Sequence, residues 1–537
     1  MNTNEKTKIP YKKSKVLQEL ANGLHRADTD NVGQTPANSV TVLPNHETIL
    51  QNILSKIKKI DFFFEVYPHL KTDFERKTTL ATYLQENQIS ITDKENPHSK
   101  EFRELDKELS KYKVTDTQKV VKTVEYLLKF IKDFDFGLST ENGYIHLYNG
   151  AYWKEIGSEK LTYFLGEVAE CLGVEQLKSK YHKFKTDLIK QFFASAYLAS
   201  PIPQKGLVYV NLQNGTFEIS KEKQQLRGFK REDFCTYQLP FTYETSAKAL
   251  IWDKFLSEVL PDKDAQNVLA EYLGYIFTKG IKQERCLLLY GSGANGKSVV
   301  FDVITALLGK ENISHYTLES LTDKEGYSRA KIVNKLANYA SEISPKMNTD
   351  KFKSLVSGEP TEARLPYKEP FEITDVAKFI FNTNTLPKDV EHNNAFYRRF
   401  IILPFEVTIS ESKQDKDLAT KIIDTELSGV FNWILEGLQR LLKQGKFTDS
   451  ELVKQTLADF KNAGDTVALF LQESGYTKSV ANVAFIPATD LYKDYKIYCT
   501  DFGYNALNQI NFGSRMKNLD IVNKRNKNGF IYFLEKI

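Results

Sequence analysis

Eight residues near the middle of the chain, GSGANGKS at positions 291–298, match the pattern G-x-x-x-x-G-K-[ST]. An apolar run of strand length precedes them, and an apolar stretch of helix length, closed by Gly309, follows them. In that context the glycines let backbone N–H groups turn inward around a triphosphate, and the helix N-terminus adds its positive dipole end. The pattern therefore predicts a nucleotide-binding loop. The simpler interpretation is a glycine-rich turn with a chance lysine.

Two side chains at the end of this loop carry the predicted chemistry. Lys297 would reach the β and γ phosphates, and the Ser298 hydroxyl would bind Mg²⁺, which bridges those phosphates and offsets the charge of phosphoryl transfer. The residues expected to contact ATP are Gly291, Ser292, Gly293, Ala294, Asn295, Gly296, Lys297, Ser298 and Val299.

Hydrolysis also needs an acid near the metal and a polar group that positions water. Glu342 and Asn384 each follow a short apolar run, as expected for residues at the carboxyl ends of sheet strands. Glu342 is the candidate metal ligand or water-polarising acid, and Asn384 the candidate sensor of the γ-phosphate. Arg398 and Arg399 open another apolar run, and their permanent charge suits a phosphate clamp supplied to a neighbouring subunit. The simpler interpretations are a surface glutamate, a turn-forming asparagine and a salt-bridged arginine pair.

Composition excludes several classes of protein. The 537 residues, 41% of them hydrophobic, carry a net charge of only +4. No stretch approaches the length of an apolar membrane span, and the N-terminus lacks the apolar core of a signal peptide, so we expect a cytoplasmic protein without membrane contact. The four cysteines lie far apart and predict neither a zinc site nor a disulfide framework.

Composition and periodicity divide the chain into six segments. They are a disordered tail at 1–45, a helical region of unassigned role at 46–117, a mixed α/β domain at 118–280, the ATPase core at 281–410, a helical subdomain at 411–465 and a small domain at 466–537.

The last segment has the pattern of a winged helix, in which two helices are followed by a hairpin with an Asn-Gly turn. Residues 511–537 hold six Lys/Arg against two acids. The second helix and the wing would offer DNA phosphates a set of basic residues: Arg515, Lys517, Lys524, Arg525 and Lys527. A small packing domain with a solvated basic face is the equal alternative.

Five motifs follow one another in a compatible order: GSGANGKS, NYASEI, LVSGEPTEARLPYKEPFEI, FIFNTNTLP and FYRRFIILPF. Together they resemble the ATPase core of phage and plasmid primase-helicases of the poxvirus-type branch of superfamily 3. The resemblance spans about residues 243–433, with looser similarity back to about residue 120. It implies an AAA+-like P-loop NTPase fold and ATP hydrolysis coupled to DNA.

The resemblance also implies roles for single residues. Lys297 and Ser298 match the phosphate-loop lysine and metal ligand, Glu342 the acidic motif, Asn384 the sensor, and Arg398 or Arg399 the arginine finger. Residues 358–371 match a hairpin that grips single-stranded DNA in the channel of the ring, and its candidate contacts are Arg364, Tyr367 and Lys368.

We therefore expect a ring-forming, ATP- and Mg²⁺-dependent DNA helicase, hexameric and translocating 3′ to 5′ as the resemblance implies. Its expected partners are single-stranded and forked DNA, further copies of itself, origin DNA and replication proteins, in a bacterial cytoplasm that hosts a phage, plasmid or mobile element. One alternative is an ATP-regulated, origin-binding initiator. The other is a primase-helicase, although the only D-x-D pair near the N-terminus, at residues 28–30, lies in a sequence without strand character.

Overall fold

The computed structural model describes residues 46–537, apart from residues 135, 142–143, 197–205, 341–342, 344–346, 366–368, 375, 385–393, 464, 505, 528 and 537. The described residues form a mixed α/β structure, which confirms the α/β part of the predicted fold class. None of the helices described is long and apolar enough to cross a membrane. The predicted tail at 1–45 and its D-x-D pair lie outside the described residues.

The N-terminal part combines helices with one small sheet. Its first helices are α1 (His46–Lys56), α2 (Phe62–Val66), α3 (Lys71–Glu86), α4 (Pro97–Leu109) and α5 (Asp116–Asp133). The antiparallel strands β1 (Gly137–Glu141), β2 (Tyr144–Tyr148) and β3 (Trp153–Ile156) come next, followed by helices α6 (Ser158–Leu172), α7 (Gln176–Lys180) and α8 (His182–Ser195). One hydrophobic core from Ile49 to Ala196 joins α1 and α5 to the sheet and to α6 and α8.

A second antiparallel sheet and two helices lead into the centre of the molecule. They are β4 (Val208–Leu212), β5 (Gly215–Ile219), β6 (Gln224–Arg227), α9 (Leu250–Val259) and α10 (Lys263–Tyr275).

The central part is built on a parallel sheet. In chain order its elements are β7 (Cys286–Tyr290), α11 (Lys297–Leu308), β8 (Ile313–Ser314), α12 (Leu318–Leu321), α13 (Tyr327–Lys331), β9 (Ala337–Ala340), α14 (Thr349–Ser357), β10 (Thr361–Ala363), β11 (Phe371–Ile373), β12 (Lys378–Thr383), α15 (Asn394–Tyr397) and β13 (Phe400–Pro404). Five of these strands pair in the order β13-β7-β12-β9-β8, all parallel.

The central sheet is covered on both faces, which explains why its strands are apolar almost throughout. Alternate residues of β7 belong to different cores: Leu287 and Leu289 to one, Cys286 and Leu288 to the other. The first core runs from Val208 to Leu442. It therefore crosses the positions 280/281 and 410/411, where the sequence predicts domain boundaries.

Two helices and a small C-terminal unit follow the central part. They comprise α16 (Leu418–Gln444), α17 (Glu451–Ala463), α18 (Thr466–Glu473), β14 (Tyr476–Lys478), β15 (Ile486–Pro487), α19 (Ala488–Asp501), α20 (Gln509–Asn518), β16 (Asn523–Asn526), β17 (Gly529–Tyr532) and β18 (Leu534–Lys536). Short 3-10 helices lie at Pro68–Leu70, Arg231–Asp233, Lys310–Asn312, Glu411–Lys413 and Val480–Asn482. The unit after α17 has its own core, from Val467 to Leu534.

Helices α10 and α16 pack closely because each contributes a glycine to their contact. A Cβ on Gly437 would lie 2.4 Å from the carbonyl carbon of Ala270, and one on Gly274 would lie 2.6 Å from the Cβ of Leu438. Both distances are far inside van der Waals contact. This helix pair shares one hydrophobic core with α11 and with Leu287 and Leu289 of β7.

We predict that Gly437→Ala destabilises the protein by about 1–3 kcal/mol, because the added methyl group would push against the backbone of α10. Thermal unfolding followed by circular dichroism measures this. Gly228→Ala is the control, since nothing lies within 4 Å of its added Cβ. An unchanged melting temperature for Gly437→Ala would show that the two helices can separate without cost.

Candidate nucleotide-binding site

The glycine-rich loop, residues 291–296, connects the carboxyl end of β7 to the first turn of α11. The Gly291 N–H donates to the Thr383 carbonyl at 3.1 Å, which joins the loop to the end of β12. A Cβ on Gly291 would lie 2.3 Å from the Phe405 carbonyl oxygen, so no other residue fits there without moving the backbone. The loop is thus held against the ends of two neighbouring strands.

Ala294 gives this loop a strained conformation. Its φ of 49° lies in the left-handed region, which costs a residue with a Cβ about 1–2 kcal/mol. The Ala294 carbonyl accepts a hydrogen bond from the Ile409 N–H at 2.8 Å, which helps to hold the loop in this shape. Strain of this kind is concentrated at functional sites.

Lys297 lies at the base of the loop and is 6% exposed. Its ammonium donates to the Gly291 carbonyl at 2.6 Å and to the Asn295 Oδ1 at 2.9 Å. Burial lowers the pKa of Lys297, because desolvation disfavours the charged form. The ammonium is therefore held by neutral acceptors that an anion could replace.

Asn295 has a side-chain role that the motif did not predict. Its amide is buried, and its Nδ2 donates to the Phe405 carbonyl at 2.8 Å while its Oδ1 accepts from Lys297. Any residue type is allowed at this position of the pattern, so the sequence carried no signal for the contact. Ser292 and Ser298, in contrast, are exposed.

The structure brings Asn384 to the loop. Thr383, the last residue of β12, is paired in register with Tyr290, the last residue of β7. Asn384 follows directly and is exposed at the same edge of the sheet. The neighbouring strand β9 ends at Ala340 on this edge. Glu342 lies outside the described residues, and its metal-binding role stays a prediction.

Arg398 and Arg399 lie at the opposite edge of the sheet. They precede β13, whose first residue, Phe400, pairs with Cys286 at the beginning of β7. At about 3.3 Å per residue, the length of β7 separates them from the glycine-rich loop by about 13 Å or more. Neither arginine belongs to the site formed by the loop of its own chain.

The two arginines differ in their surroundings. The Arg398 side chain is 62% exposed and has one distant ion pair, at 3.7 Å from Glu284. Arg399 is 6% exposed, and its guanidinium donates to the Ser357 hydroxyl at 2.8 Å and to the Ala395 carbonyl. Burial lowers the pKa of Arg399. Arg398 is therefore available to a partner, whereas Arg399 holds the end of α14 in place.

The end of α14 leads into an antiparallel hairpin formed by β10 and β11, with Ala363 opposite Phe371. Arg364 is exposed at its end, while Tyr367 and Lys368 lie outside the described residues. The buried Arg329 supports this hairpin, since its Nε donates to the Glu362 carbonyl at 2.6 Å. The sequence around Arg329 has no motif that would have predicted this contact.

The C-terminal basic residues fall into two groups. Arg515 donates from Nε to Asp465 at 2.9 Å and forms an ion pair with it, so it ties α20 to the residue that caps α18. This is a different role from the predicted phosphate contact. The other four predicted residues are all exposed on α20 and the β16–β17 hairpin: Lys517, Lys524, Arg525 and Lys527.

Two family models match the chain. Residues 124–261 match a family described as D5 N terminal like, and residues 289–399 match a family of unknown function, DUF5906. The second match begins in β7 and ends at Arg399, so it contains the loop, Asn384 and both arginines.

Viral proteins are similar to a little under half of the chain. Over 273 residues it is 24% identical to a protein of Acanthamoeba polyphaga mimivirus designated helicase L207/L206, covering 45% of this chain and 27% of that protein. Over 258 residues it is 24% identical to a protein of African swine fever virus designated primase C962R, covering 44% and 27%. These matches support a relationship between this chain and a family of phage and viral primase-helicases. This confirms the predicted resemblance at low identity, and the chain spans only about a quarter of each relative.

A solved structure, the apo form of the NrS-1 C-terminal region, is 13% identical and covers 76% of this chain and 98% of its own. Its TM-score of 0.42 is too low to support any point about the site.

We predict that Arg399→Ala destabilises the protein by about 2–4 kcal/mol, because it leaves the buried Ser357 hydroxyl and the Ala395 carbonyl without their donor. Arg398→Ala is the matched control and should cost at most about 1 kcal/mol, as exposed ion pairs contribute little. Thermal unfolding of both variants tests this. Equal losses of stability would contradict the difference between the two arginines.

Proposed function

We propose that the chain is an ATP-dependent DNA helicase of the superfamily 3 type, acting in the replication of a phage, plasmid or other mobile element. The observation that carries the proposal is the strained glycine-rich loop with a buried lysine at its base, located where a central parallel strand meets a helix. The designations of the viral relatives, helicase and primase, agree with an enzyme of DNA replication.

In this proposal residues 291–296 form a P-loop. Its backbone N–H groups and the N-terminus of α11 receive the phosphates, and the Lys297 ammonium exchanges two neutral acceptors for phosphate oxygens. The exposed Ser298 hydroxyl, in the first turn of α11, fits a magnesium ligand. Magnesium, when bound, would offset the charge of phosphoryl transfer. Asn384 would position the attacking water, and Glu342 would complete the site.

We propose that each ATP site is shared between two subunits of a ring, taken to be a hexamer. Arg398 is exposed and lies at the edge of the sheet opposite to its own loop. It can therefore serve as an arginine finger only for another copy of the chain. Arg399 would act indirectly, by positioning Arg398 and the end of α14, which leads into the β10–β11 hairpin.

DNA would contact two surfaces. The hairpin would grip a single strand, and its proposed contacts are Arg364, Tyr367 and Lys368. The ring would then translocate along this strand from 3′ to 5′, as the resemblance implies. The C-terminal unit, interpreted as a winged helix, would contact DNA with the basic residues that remain exposed on α20 and on the β16–β17 hairpin.

The C-terminal unit also favours a second candidate function, an origin-binding initiator. Unwinding of a forked duplex supports the helicase, whereas ATP-dependent binding to one duplex sequence without unwinding supports the initiator.

We predict that Lys297→Ala abolishes ATP hydrolysis, because the phosphates lose their buried counter-charge. Arg398→Ala should still bind nucleotide but lose turnover by about 10³-fold or more. A fluorescent ATP analogue measures binding, and phosphate release measures turnover. Lys310→Ala, at an exposed lysine just after α11, is the control. Full turnover by Arg398→Ala would exclude this residue as the finger.

The shared site has a further test in mixed rings. The Lys297→Ala subunit still has Arg398, and the Arg398→Ala subunit still has an intact glycine-rich loop. A mixture of the two inactive variants should therefore recover activity at every interface where the first subunit supplies Arg398 to the loop of the second. With random mixing in equal amounts, about a quarter of the interfaces would be intact. Native mass spectrometry shows whether the subunits have exchanged. If they have exchanged and ATP turnover is still absent, the shared site is refuted.

A further inference from the structure

A short part of the N-terminal region is strongly basic and exposes aromatic rings. Residues 177–190 read LKSKYHKFKTDLIK and contain five lysines against one aspartate. Their net charge of +4 equals that of the entire chain. Such a run is usually only a solvated helix face, so the charge by itself identifies nothing.

The fold presents this segment rigidly. Tyr181 lies at the corner between α7 and α8, and α8 is anchored because Phe184, Leu188 and Phe192 are buried in the core on its other face. Lys180, Tyr181 and Lys183 are exposed at this corner, and Tyr181 is 53% exposed. The tyrosine therefore projects from a fixed backbone and not from a loose loop.

A second exposed tyrosine lies on α6, the helix that packs against α8. Tyr163 of α6 is 60% exposed, and the Lys185 ammonium lies 5.2 Å from the centre of its ring. The Lys185 stem crosses Gly166, where an added Cβ would lie 2.8 Å from the lysine Cε. The Lys185 N–H donates to the Tyr181 carbonyl at 3.1 Å, so this lysine connects the Tyr163 ring to the corner that carries Tyr181. We call Tyr163, Lys180, Tyr181, Lys183 and Lys185 the tyrosine–lysine surface.

We propose that the tyrosine–lysine surface binds single-stranded DNA, with bases stacked on Tyr163 and Tyr181 and phosphates contacted by the lysines. Alternating cations and exposed aromatic rings are the features that bind single strands without sequence preference, because every base has a face that can stack. Duplex DNA hides those faces and would use only the lysines. The inference rests on DNA being the substrate, but adds a contact site outside both the hairpin and the C-terminal unit.

The test compares three double variants of the full chain. Tyr163→Ala with Tyr181→Ala removes the stacking rings, and Lys180→Glu with Lys183→Glu reverses two charges. Lys129→Glu with Lys132→Glu, at two exposed lysines of α5, is the charge-matched control. Fluorescence anisotropy with labelled oligothymidylate and a labelled blunt duplex gives affinities over a range of salt concentrations.

We expect the tyrosine variant to bind oligothymidylate about 30-fold more weakly or worse, because two stacked bases are lost, while its duplex affinity is unchanged. The lysine variant should also bind more weakly, with a salt dependence reduced by roughly 1.4 in the logarithmic slope, about 0.7 for each lost phosphate contact. Ultraviolet crosslinking of iododeoxyuridine-substituted DNA should yield peptides that contain Tyr163 or Tyr181. ATP hydrolysis without DNA should match wild type in all three variants.

Several results would overturn the inference. Single-strand affinities equal to that of the control variant would do so, as would equal losses for single-stranded and duplex DNA in the tyrosine variant, or crosslinks only at the hairpin or the C-terminal unit. If DNA stimulates ATP hydrolysis by wild type, and the tyrosine and lysine variants reach half of this stimulation at the same DNA concentration as wild type, the surface is not a DNA site but the proposed function stands. If wild type binds no single-stranded DNA, both proposals fail.

Discussion

All five strands of the central sheet run in the same direction, so each contributes its last residue to one edge and its first residue to the other. The glycine-rich loop and Asn384 follow the ends of neighbouring strands and therefore meet at the carboxyl edge. Arg398, Arg399 and the foot of the β10–β11 hairpin come before strands and lie towards the amino edge. One constraint on strand direction thus separates the groups proposed to bind a nucleotide from those proposed to act on the next subunit and on DNA.

Buried cations hold both sides of this arrangement together. Lys297 bonds to a carbonyl and an amide oxygen of the loop, Arg329 to the Glu362 carbonyl, and Arg399 to the Ser357 hydroxyl. Arg329 also has the Asp323 carboxylate 3.4 Å away, whereas neutral acceptors hold Lys297 and Arg399. Such acceptors satisfy the donors of these two cations without cancelling their charge, so both stay responsive to an anion nearby. For Lys297 that anion would be a phosphate. Arg399 connects the segment that carries the exposed Arg398 to the helix leading into the hairpin, which gives a short physical link between the proposed finger and the proposed DNA contact.

Much of the fold followed from local pattern. The apolar run before the loop predicted β7, the glycine and lysine spacing predicted the turn into α11, and the Asn-Gly signal predicted the hairpin of β16 and β17. The packing of residues 208–277 was not predictable in this way. Their pattern changes at about residue 280, but their side chains complete the same core as α11 and α16. Periodicity shows which face of an element is apolar and not which partner covers it.

The sequence by itself determined the chemistry that the chain can offer: a loop with the residue types for phosphate and magnesium, a candidate sensor, two adjacent arginines and basic residues near the C-terminus. Only the tertiary structure decided which of these groups are available. Arg398 is exposed while its neighbour Arg399 is buried, and Arg515 is paired with Asp465, fifty positions away. The reason is physical. Residue type fixes charge and hydrogen-bonding capacity, whereas exposure and partners depend on chain segments that are distant in sequence and meet only in the folded core.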